Sequence, residues 1–411
     1  MSVTALDVRL RFSPEAEHRV GRLAVTGRDV VFQYDDAFVA KGLQISPMRL
    51  PLRHGVQVFD RAGGLDLFGV FEDSMTDSWG RRIVDRHFQK TLRRTPTALE
   101  RLAFVGERGM GALTFHPPTE PAEEPGKELD LVKLAVQAWD FDDEKLEEAL
   151  TELRRVAGTS GGARPKALVG LPKDRKASLL PGDTDLPAGY QHWIVKFNSR
   201  ADIKDAGVLE YAYAKIAEAA GGDVPECRLI ETKKGRFFAS RRFDRPAPAE
   251  RMHLHSVAGM LHANYRVAGT EYLDLFKLTD GLTRDYAQKQ ELFRRACLNV
   301  MACNRDDHLK NFALMMGRDG TWRLSPLFDF TFHTGPNGWH TLNVAGEGEN
   351  PTREHLLRLA NDANLRERDA KAILTAVADA VSRFDKLAKK LKISKRTADQ
   401  VISRLRLLRT Q

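Results

Sequence analysis

Residues 304–311 read N-R-D-D-H-L-K-N, and the reading of this octapeptide decides the fold. Asn304, Arg305, Asp306 and Asp307 stand together and are followed by His308, Lys310 and Asn311. Upstream, residues 291–303 carry Phe293, Cys297, Leu298, Val300 and Met301 at helical spacing, which predicts a helix with one apolar face. Downstream, Phe312-Ala-Leu-Met-Met is a short apolar run bounded by Gly317 and Gly320, the pattern of a strand. A dense polar cluster between two buried elements is costly unless its groups are paired or used. Asp306 and Asn311, five residues apart, can divide two tasks. The carboxylate can take a proton from a hydroxyl, and the amide oxygen can hold a metal on a phosphate. The plain alternative is a capped turn, in which Asn304 or Asp306 satisfies free backbone N–H groups.

Composition narrows the setting. A chain of 411 residues is long enough for about two or three domains. Hydrophobic residues make up 42% and charged residues 29%, ordinary for a globular chain with an ample core. Arg, Asp or Glu interrupts every apolar run, so no membrane span is expected. The first thirty residues lack a basic region followed by an apolar stretch, so no secretory signal is expected either. Cys227, Cys297 and Cys303 are scattered, with no C-x-x-C pair. That argues against a disulfide framework or a structural zinc site and fits a reducing, cytoplasmic setting. The formal net charge of +8 favours anionic partners such as nucleic acid, nucleotides or tRNA-bound enzymes.

The order of elements predicts an α+β chain. Residues 1–60 alternate in the strand rhythm at Leu6-Asp-Val-Arg-Leu-Arg-Phe, at Val20-Gly-Arg-Leu-Ala-Val, at Val30-Val-Phe-Gln-Tyr and at Gln44-Ile-Ser-Pro. A basic amphipathic helix is expected over 81–88, with Asp77 or Ser78 as its cap, and a shorter helix over 96–102. Residues 106–115 form a Gly-rich turn ending in a strand. The Pro- and Glu-rich stretch 117–128 reads as a linker, and residues 130–155 as one or two helices. The expected domains are 1–118, β-rich; 119–245, with a Gly-rich turn; and 246–411, helical. Helices are expected over 272–283, 285–303, 353–361, 367–387 and 394–409, and a strand that starts at Thr321 and ends in Asp329. His253 and His255 read as core or solvated histidines, since a metal site would need a third ligand. The basic face carrying Lys395, Arg396, Arg404, Arg406 and Arg409 reads as a solvated helix face.

Four further features bear on chemistry. Thr159, Ser160, Gly161 and Gly162, with Gly158 before them, make a turn whose backbone N–H groups can cradle a phosphate. The turn lacks the Gly-Lys-Ser/Thr ending of a Walker A loop, and alone it favours a hairpin turn, which needs the same glycines. Lys196 lies on the apolar strand His192-Trp-Ile-Val-Lys-Phe-Asn, and such a charge needs a partner. Glu210, at the head of a helix expected over 208–220, is the candidate; an edge-strand lysine reaching solvent is the alternative. Two strands then form a hairpin about residues 233–236, and residues 241–245 leave the sheet. Last comes Asp329.

Each part is weak alone, but their order is that of phosphoryl transfer from ATP. In that scheme Lys196 holds the inner phosphates, Asn311 and Asp329 bind Mg²⁺, and Asp306 takes or orients the proton of the attacking hydroxyl. Lys310 offsets charge developing near the γ-phosphate. Two other schemes compete. One is a catalytically silent corepressor or scaffold whose basic helices meet DNA; the intact set Lys196, Asp306, Asn311 and Asp329 argues against it. The other is a metal-dependent phosphohydrolase built on Asp306, Asp307 and His308, which leaves Lys196 and the Gly-rich turn without a role.

The chain resembles the HipA-type serine/threonine kinases, the toxin half of type II toxin–antitoxin modules. In the N-terminal part the resemblance rests on Phe32-Gln-Tyr-Asp, Ile45-Ser-Pro, Asp73-Ser-Met-Thr-Asp-Ser-Trp-Gly-Arg and Val105-Gly-Glu-Arg-Gly-Met-Gly-Ala-Leu. Further on it rests on Ser160-Gly-Gly-Ala-Arg-Pro-Lys, Ile194-Val-Lys-Phe, Arg242-Phe-Asp-Arg, the octapeptide and Pro326-Leu-Phe-Asp. The resemblance implies a kinase-like two-lobed fold, with a β-rich subdomain and an N-lobe before an all-α C-terminal lobe. It implies that Asp306 is the catalytic base, Asn311 and Asp329 the Mg²⁺ ligands and Lys196 the phosphate contact, with the backbone around Arg241 and Phe243 as adenine hinge. His308 belongs to the same nucleotide-binding set as a hydrogen-bonding residue of its loop. Thr159 and Ser160 match the family's self-phosphorylated position. The implied partners are a small DNA-binding antitoxin of HipB type, with DNA contacted through it, and a protein substrate of translation such as an aminoacyl-tRNA synthetase. Two departures stand out. Arg241 occupies a position where many members are acidic. Asp307 replaces a Gly found in some members, so that it can share the site with Asp306.

Overall fold

The computed structural model describes residues 3–61, 64–76, 78–119, 128–139, 164–173, 178–198, 203, 205–265, 267 and 269–407. Five strands form the first sheet: β1 (Ala5–Ser13), β2 (Ala16–Thr26), β3 (Asp29–Tyr34), β4 (Val56–Val58) and β5 (Leu113–His116), in the order β4-β3-β2-β1-β5. All four pairings are antiparallel. The alternation along β1 explains its seat: Leu6, Val8, Leu10 and Phe12 are buried while Asp7, Arg9 and Arg11 face the other way. Gly21 lets β2 lie close to β3, since a Cβ there would sit 2.2 Å from the Gln33 carbonyl oxygen. Residues 44–47, expected to continue the strand rhythm, form turns instead. Ser46 and Ile45 are drawn toward His255 and His253 by hydrogen bonds. The fourth strand comes later, at Val56–Val58.

The helix Ala98–Val105 starts at a capping box, in which Thr97 and Glu100 each bond the other's backbone N–H. The basic helix runs Ser78–Leu92. Its Trp79 and Ile83 belong to the core under the second sheet, with Leu131 and Leu134 from the helix Leu131–Trp139. The proposed cap Asp77, most of the expected linker and residues 140–155 lie outside the described residues.

The second sheet contains β6 (Lys166–Pro172), β7 (Leu180–Pro181), β8 (Tyr190–Lys196), β9 (Cys227–Thr232) and β10 (Gly235–Arg241), in the order β7-β6-β8-β10-β9. The β9–β10 hairpin turns where expected. The helix Ala206–Ala219 lies on this sheet. Its first turn approaches β10 through Gly207, where a Cβ would come 2.7 Å from the Arg236 carbonyl oxygen.

The C-terminal part is built mainly of the helices Tyr272–Thr283, Tyr286–Met301, Arg353–Asp362, Glu367–Ser382, Phe384–Lys390 and Lys395–Leu407. It is not purely helical, which corrects the all-α expectation. His253–Ser256 (β11), Ala313–Met316 (β13) and Trp322–Leu324 (β14) form a three-stranded antiparallel sheet. Thr270–Glu271 (β12) pairs in parallel with Leu342–Asn343 (β15). Two boundaries also differ. The helix expected over 367–387 breaks at Arg383. The strand expected to end in Asp329 stops at Leu324, where the chain is tied to the helix Tyr286–Met301: Leu324 N–H donates to the Gln288 side chain at 2.8 Å and Arg295 donates to the Ser325 carbonyl at 2.6 Å.

Candidate active site

The helix Tyr286–Met301 delivers the octapeptide. Cys303 takes a left-handed conformation (φ 55) and turns the chain away from the helix. Asn304 then ties back: its N–H reaches the Asn299 carbonyl at 2.9 Å and its amide donates to Asn299 Oδ1 at 2.8 Å. On the other side the loop is stitched to residue 333, Arg305 N–H donating to the His333 carbonyl and His333 N–H to the Cys303 carbonyl.

The two adjacent carboxylates part ways. Asp307 is buried and accepts from the Tyr272 hydroxyl (2.8 Å), His340 Nδ1 (2.9 Å) and Thr341 N–H (2.8 Å). It anchors segment 340–342 to the loop and does not share the site with Asp306. The Asp306 side chain is 45% exposed, with His308 Nε2 3.8 Å away. His308 precedes the 3₁₀ turn Leu309–Asn311. Asn311 donates its amide hydrogen to the Asp306 backbone carbonyl at 2.8 Å. That bond fixes the five-residue spacing and leaves the Asn311 amide oxygen available to a cation. Lys310 Nζ lies 5.4 Å from the centre of the Tyr265 ring.

Lys196, at the end of β8, points between two carboxylates. Its Nζ is 2.5 Å from Glu210 Oε1 and 2.5 Å from Asp329 Oδ1. Burial works against the ammonium charge, but Asp329 and Glu210 outweigh it and raise the lysine pKa above its ordinary value. Burial likewise opposes the Asp329 charge, and Lys196, with Lys166 and Arg164 nearby, holds that carboxyl well below the usual range. Asp329 is left-handed (φ 55), the conformation in which its carboxylate meets Lys196. Lys166 faces Lys196 across β6 and β8, and Arg164 lies 3.7 Å from Glu210. Both bases belong to the motif that follows the glycines, and in the sequence alone nothing marks them as partners of the carboxylates beyond an Arg-Pro-Lys entering an apolar strand.

At the far end of the sheet β10 stops at Arg241. Arg241 N–H donates to the Glu226 carbonyl and Arg242 N–H to the His192 carbonyl. The Phe243 ring lies 5.6 Å from that of Phe328, next to Asp329, so the hinge expected around Arg241 and Phe243 meets the Asp329 turn directly. Arg242, Asp244 and Arg245 form a buried clasp, with Asp244 accepting from both guanidinium groups at 2.8 Å. The motif Arg242-Phe-Asp-Arg is thus a buried ion cluster, which its sequence does not reveal. Thr159, Ser160, Gly161 and Gly162 lie outside the described residues. Lys196, Glu210 and Asp329 thus form one cluster, and Asp306 and Asn311 a second held by its own hydrogen bond. The donor set of Asn311 and Asp329, an amide oxygen and a carboxylate, suits a hard cation such as Mg²⁺. Among the described residues no group of three or more His, Cys, Asp or Glu could hold a metal ion.

Residues 15–116 match the family model described as HipA N-terminal domain, and residues 158–401 match that of the HipA-like C-terminal domain. A Haemophilus influenzae protein named "Putative kinase" is 29% identical over 135 residues, which is 29% of this chain and 39% of that protein. A Sinorhizobium fredii protein named "Putative kinase Y4dM" is 29% identical over 160 residues, 33% of this chain and 36% of that protein. The matched regions thus cover less than two-fifths of either relative's length. A chain from the Shewanella oneidensis complex of HipA, HipB and operator DNA superposes with a TM-score of 0.70 at 15% identity, covering 98% of this chain and 95% of that one. The fold is therefore shared. Among the described residues no helix is long and apolar enough to cross a membrane.

Proposed function

Since the chain belongs to the HipA family, we propose that it is an ATP- and Mg²⁺-dependent serine/threonine protein kinase that is silenced by phosphorylating its own Gly-rich turn. The observation that carries this reading is Lys196 held between Glu210 and Asp329, with Asp306 and Asn311 bound to each other on the loop. The relatives named as kinases support it.

Lys196 stays protonated between its carboxylates and holds the inner phosphates of ATP. Asn311 and Asp329 would hold Mg²⁺, which when bound neutralises charge on the phosphates. Asp306, exposed at the cleft, takes the proton of a serine or threonine hydroxyl. The hydroxyl oxygen bonds to the γ-phosphorus as the bond to ADP breaks, and Lys310 offsets the charge on the transferring group. His308 supports Asp306 as part of the same loop. The backbone around Arg241 and Phe243 receives the adenine. Transfer to Thr159 or Ser160 adds roughly −1.5 to −2 charge to a turn built to hold phosphates, so the turn no longer accepts ATP.

The substrate is a protein of the translation machinery, such as an aminoacyl-tRNA synthetase. The partner is a HipB-type antitoxin through which DNA is met indirectly; the fold shared with a chain of a HipA–HipB–operator complex supports that partner. The setting is the cytoplasm. The test is to incubate the pure protein with ATP and Mg²⁺ and seek phosphate on Thr159 or Ser160 by mass spectrometry, beside Asp306→Asn. Labelling lost in the variant is expected. Labelling that survives would remove Asp306 as the base. Neither labelling nor ATP binding in the wild type would point instead to a silent corepressor.

A further inference from the structure

The N-terminal sheet and its loops, residues 5–116, meet the rest of the chain at two buried polar junctions. One lies at the hinge. Gly111 N–H donates to Asp244 at 2.8 Å, and the Gly111 carbonyl accepts from Arg245 at 2.7 Å. The Gly109 carbonyl accepts from Arg245 at 2.8 Å. Asp244 is itself gripped by Arg242 at 3.0 and 2.8 Å. Arg251 extends the junction, reaching the Glu107 carbonyl with its side chain and the Phe12 carbonyl with its N–H, both at 2.8 Å. Gly111 is left-handed (φ +75), and a Cβ on it would lie 3.0 Å from Leu254 N, so this loop is pressed flat against the chain just past the hinge.

The second junction lies beneath the octapeptide. Asp73 accepts from His255 Nδ1, Ser256 N–H and Ser256 Oγ–H, each at 2.7 Å. Ser46 Oγ meets the other ring nitrogen of His255 at 3.0 Å. Ser256 Oγ also caps the helix Val257–Leu261 by accepting from Gly259 N–H. Gly69 packs on Gly259 so closely that a Cβ would fall 2.0 Å from the Gly259 carbonyl oxygen. The capped helix packs on the turn Leu309–Asn311, and Val257 N–H donates to the Phe312 carbonyl. Asp73 therefore acts on Lys310 and Asn311 through one short helix.

The two junctions serve different halves of the site. The loops of residues 5–116 that make both junctions hang on one sheet, which sets the distance between the hinge and the octapeptide. We propose that residues 5–116 are a brace across the cleft, with Asp244 positioning the hinge that receives the nucleotide and Asp73 positioning the turn that carries Lys310 and Asn311. Neither residue touches the reacting atoms. This rests on the kinase reading above and adds to it a division of labour. Asp244 governs nucleotide binding, and Asp73 governs the rate of transfer, because a displacement of about 1 Å can cost about a hundredfold in rate.

The experiment compares Asp244→Asn and Asp73→Asn in the full chain. It reads the ATP dissociation constant and the single-turnover rate of phosphate transfer to Thr159 or Ser160 at saturating ATP. Asp244→Asn is expected to weaken ATP binding about tenfold and leave the saturated rate within about twofold. Asp73→Asn is expected to do the reverse. Should either fail to fold, Arg251→Lys at the hinge junction and Ser46→Ala at the other are expected to show the same split at smaller size. Equal losses in both quantities, or no change in either, would overturn the brace while the wild type remains active. A wild type that neither binds ATP nor transfers phosphate would defeat the kinase reading itself, and the brace with it.

Discussion

Asp306 and Asp307 adjoin in sequence and face opposite environments. The Asp307 side chain is wholly buried among three strong donors, while that of Asp306 is 45% exposed with His308 Nε2 3.8 Å away. Removing Asp307 leaves the Tyr272 hydroxyl, the His340 ring N–H and the Thr341 N–H without an acceptor. Asp307→Ala is expected to lower stability by about 3 kcal/mol or more. Asp306→Asn is expected to change it by less than about 0.5 kcal/mol and to abolish phosphate transfer. Urea unfolding of both variants beside the transfer assay checks this. The assignment of roles fails if Asp307→Ala is as stable as the wild type.

The pairing of Lys196 with Glu210 and Asp329 carries a pH signature. The folded pKa of Asp329 is depressed below its ordinary value of 3.8. Its contribution is therefore present above about pH 4 and lost as pH falls through the depressed folded value. The folded pKa of Lys196 is raised above 10.5. Its contribution is present below that pH and lost as pH rises through the raised value. Lys196→Met removes both limbs, so its stability should vary less than wild type below pH 4 and above pH 10.5. The same variant should lose ATP binding. Denaturant unfolding at stepped pH reads the first expectation and titration calorimetry the second.

Two histidines act in the range between. Burial, with the Arg242 charge, pushes His192 down to about 4, and burial pushes His253 to about 4. Each therefore binds a proton less readily in the fold than in the unfolded chain. Below the unfolded value of 6.5 the unfolded chain binds more protons than the folded one, so stability falls from pH 6.5 toward pH 4. The loss is on the order of 3 kcal/mol per histidine as an upper bound. His192→Gln should flatten the slope over that window. An unchanged slope in the variant would show that His192 does not stay neutral in the fold.

The parts that were legible were those whose logic is local. A lone lysine on an apolar strand needs a carboxylate, and Glu210 was the nearest one on a facing helix; the structure joins them. The β9–β10 hairpin and the capped helix Ala98–Val105 follow from short-range patterns in the same way. What escaped depends on distant partners. Asp307 finds its donors at Tyr272, His340 and Thr341, 33 to 35 positions away. Arg245 finds Gly111 and Gly109 from 134 and 136 positions away. The four-residue strand His253–Ser256 pairs with Ala313–Met316; the two-residue spacing of His253 and His255 suits one face of a strand, but only the distant pairing partner makes it one in a mainly helical stretch. Asp329 was placed on a strand because its neighbours are apolar, yet those residues pack a turn, and only the left-handed backbone reveals it.

Two glycines separate contact from conformation. At Gly69 an added Cβ would fall 2.0 Å from the Gly259 carbonyl oxygen and 2.6 Å from its carbon. Both are backbone atoms, so no side chain can swing aside, and the helices must part. Gly69→Ala is expected to cost about 1–3 kcal/mol. At Gly281, inside the helix Tyr272–Thr283, a Cβ would meet nothing within 4 Å. There alanine only restricts the unfolded chain and favours the helix, so Gly281→Ala is expected to stabilise by about 0.5–1 kcal/mol. Thermal unfolding of the two variants should shift in opposite directions from the wild type. A Gly69→Ala variant as stable as the wild type would mean that the Gly69–Gly259 approach is looser, and the junction beneath the octapeptide with it.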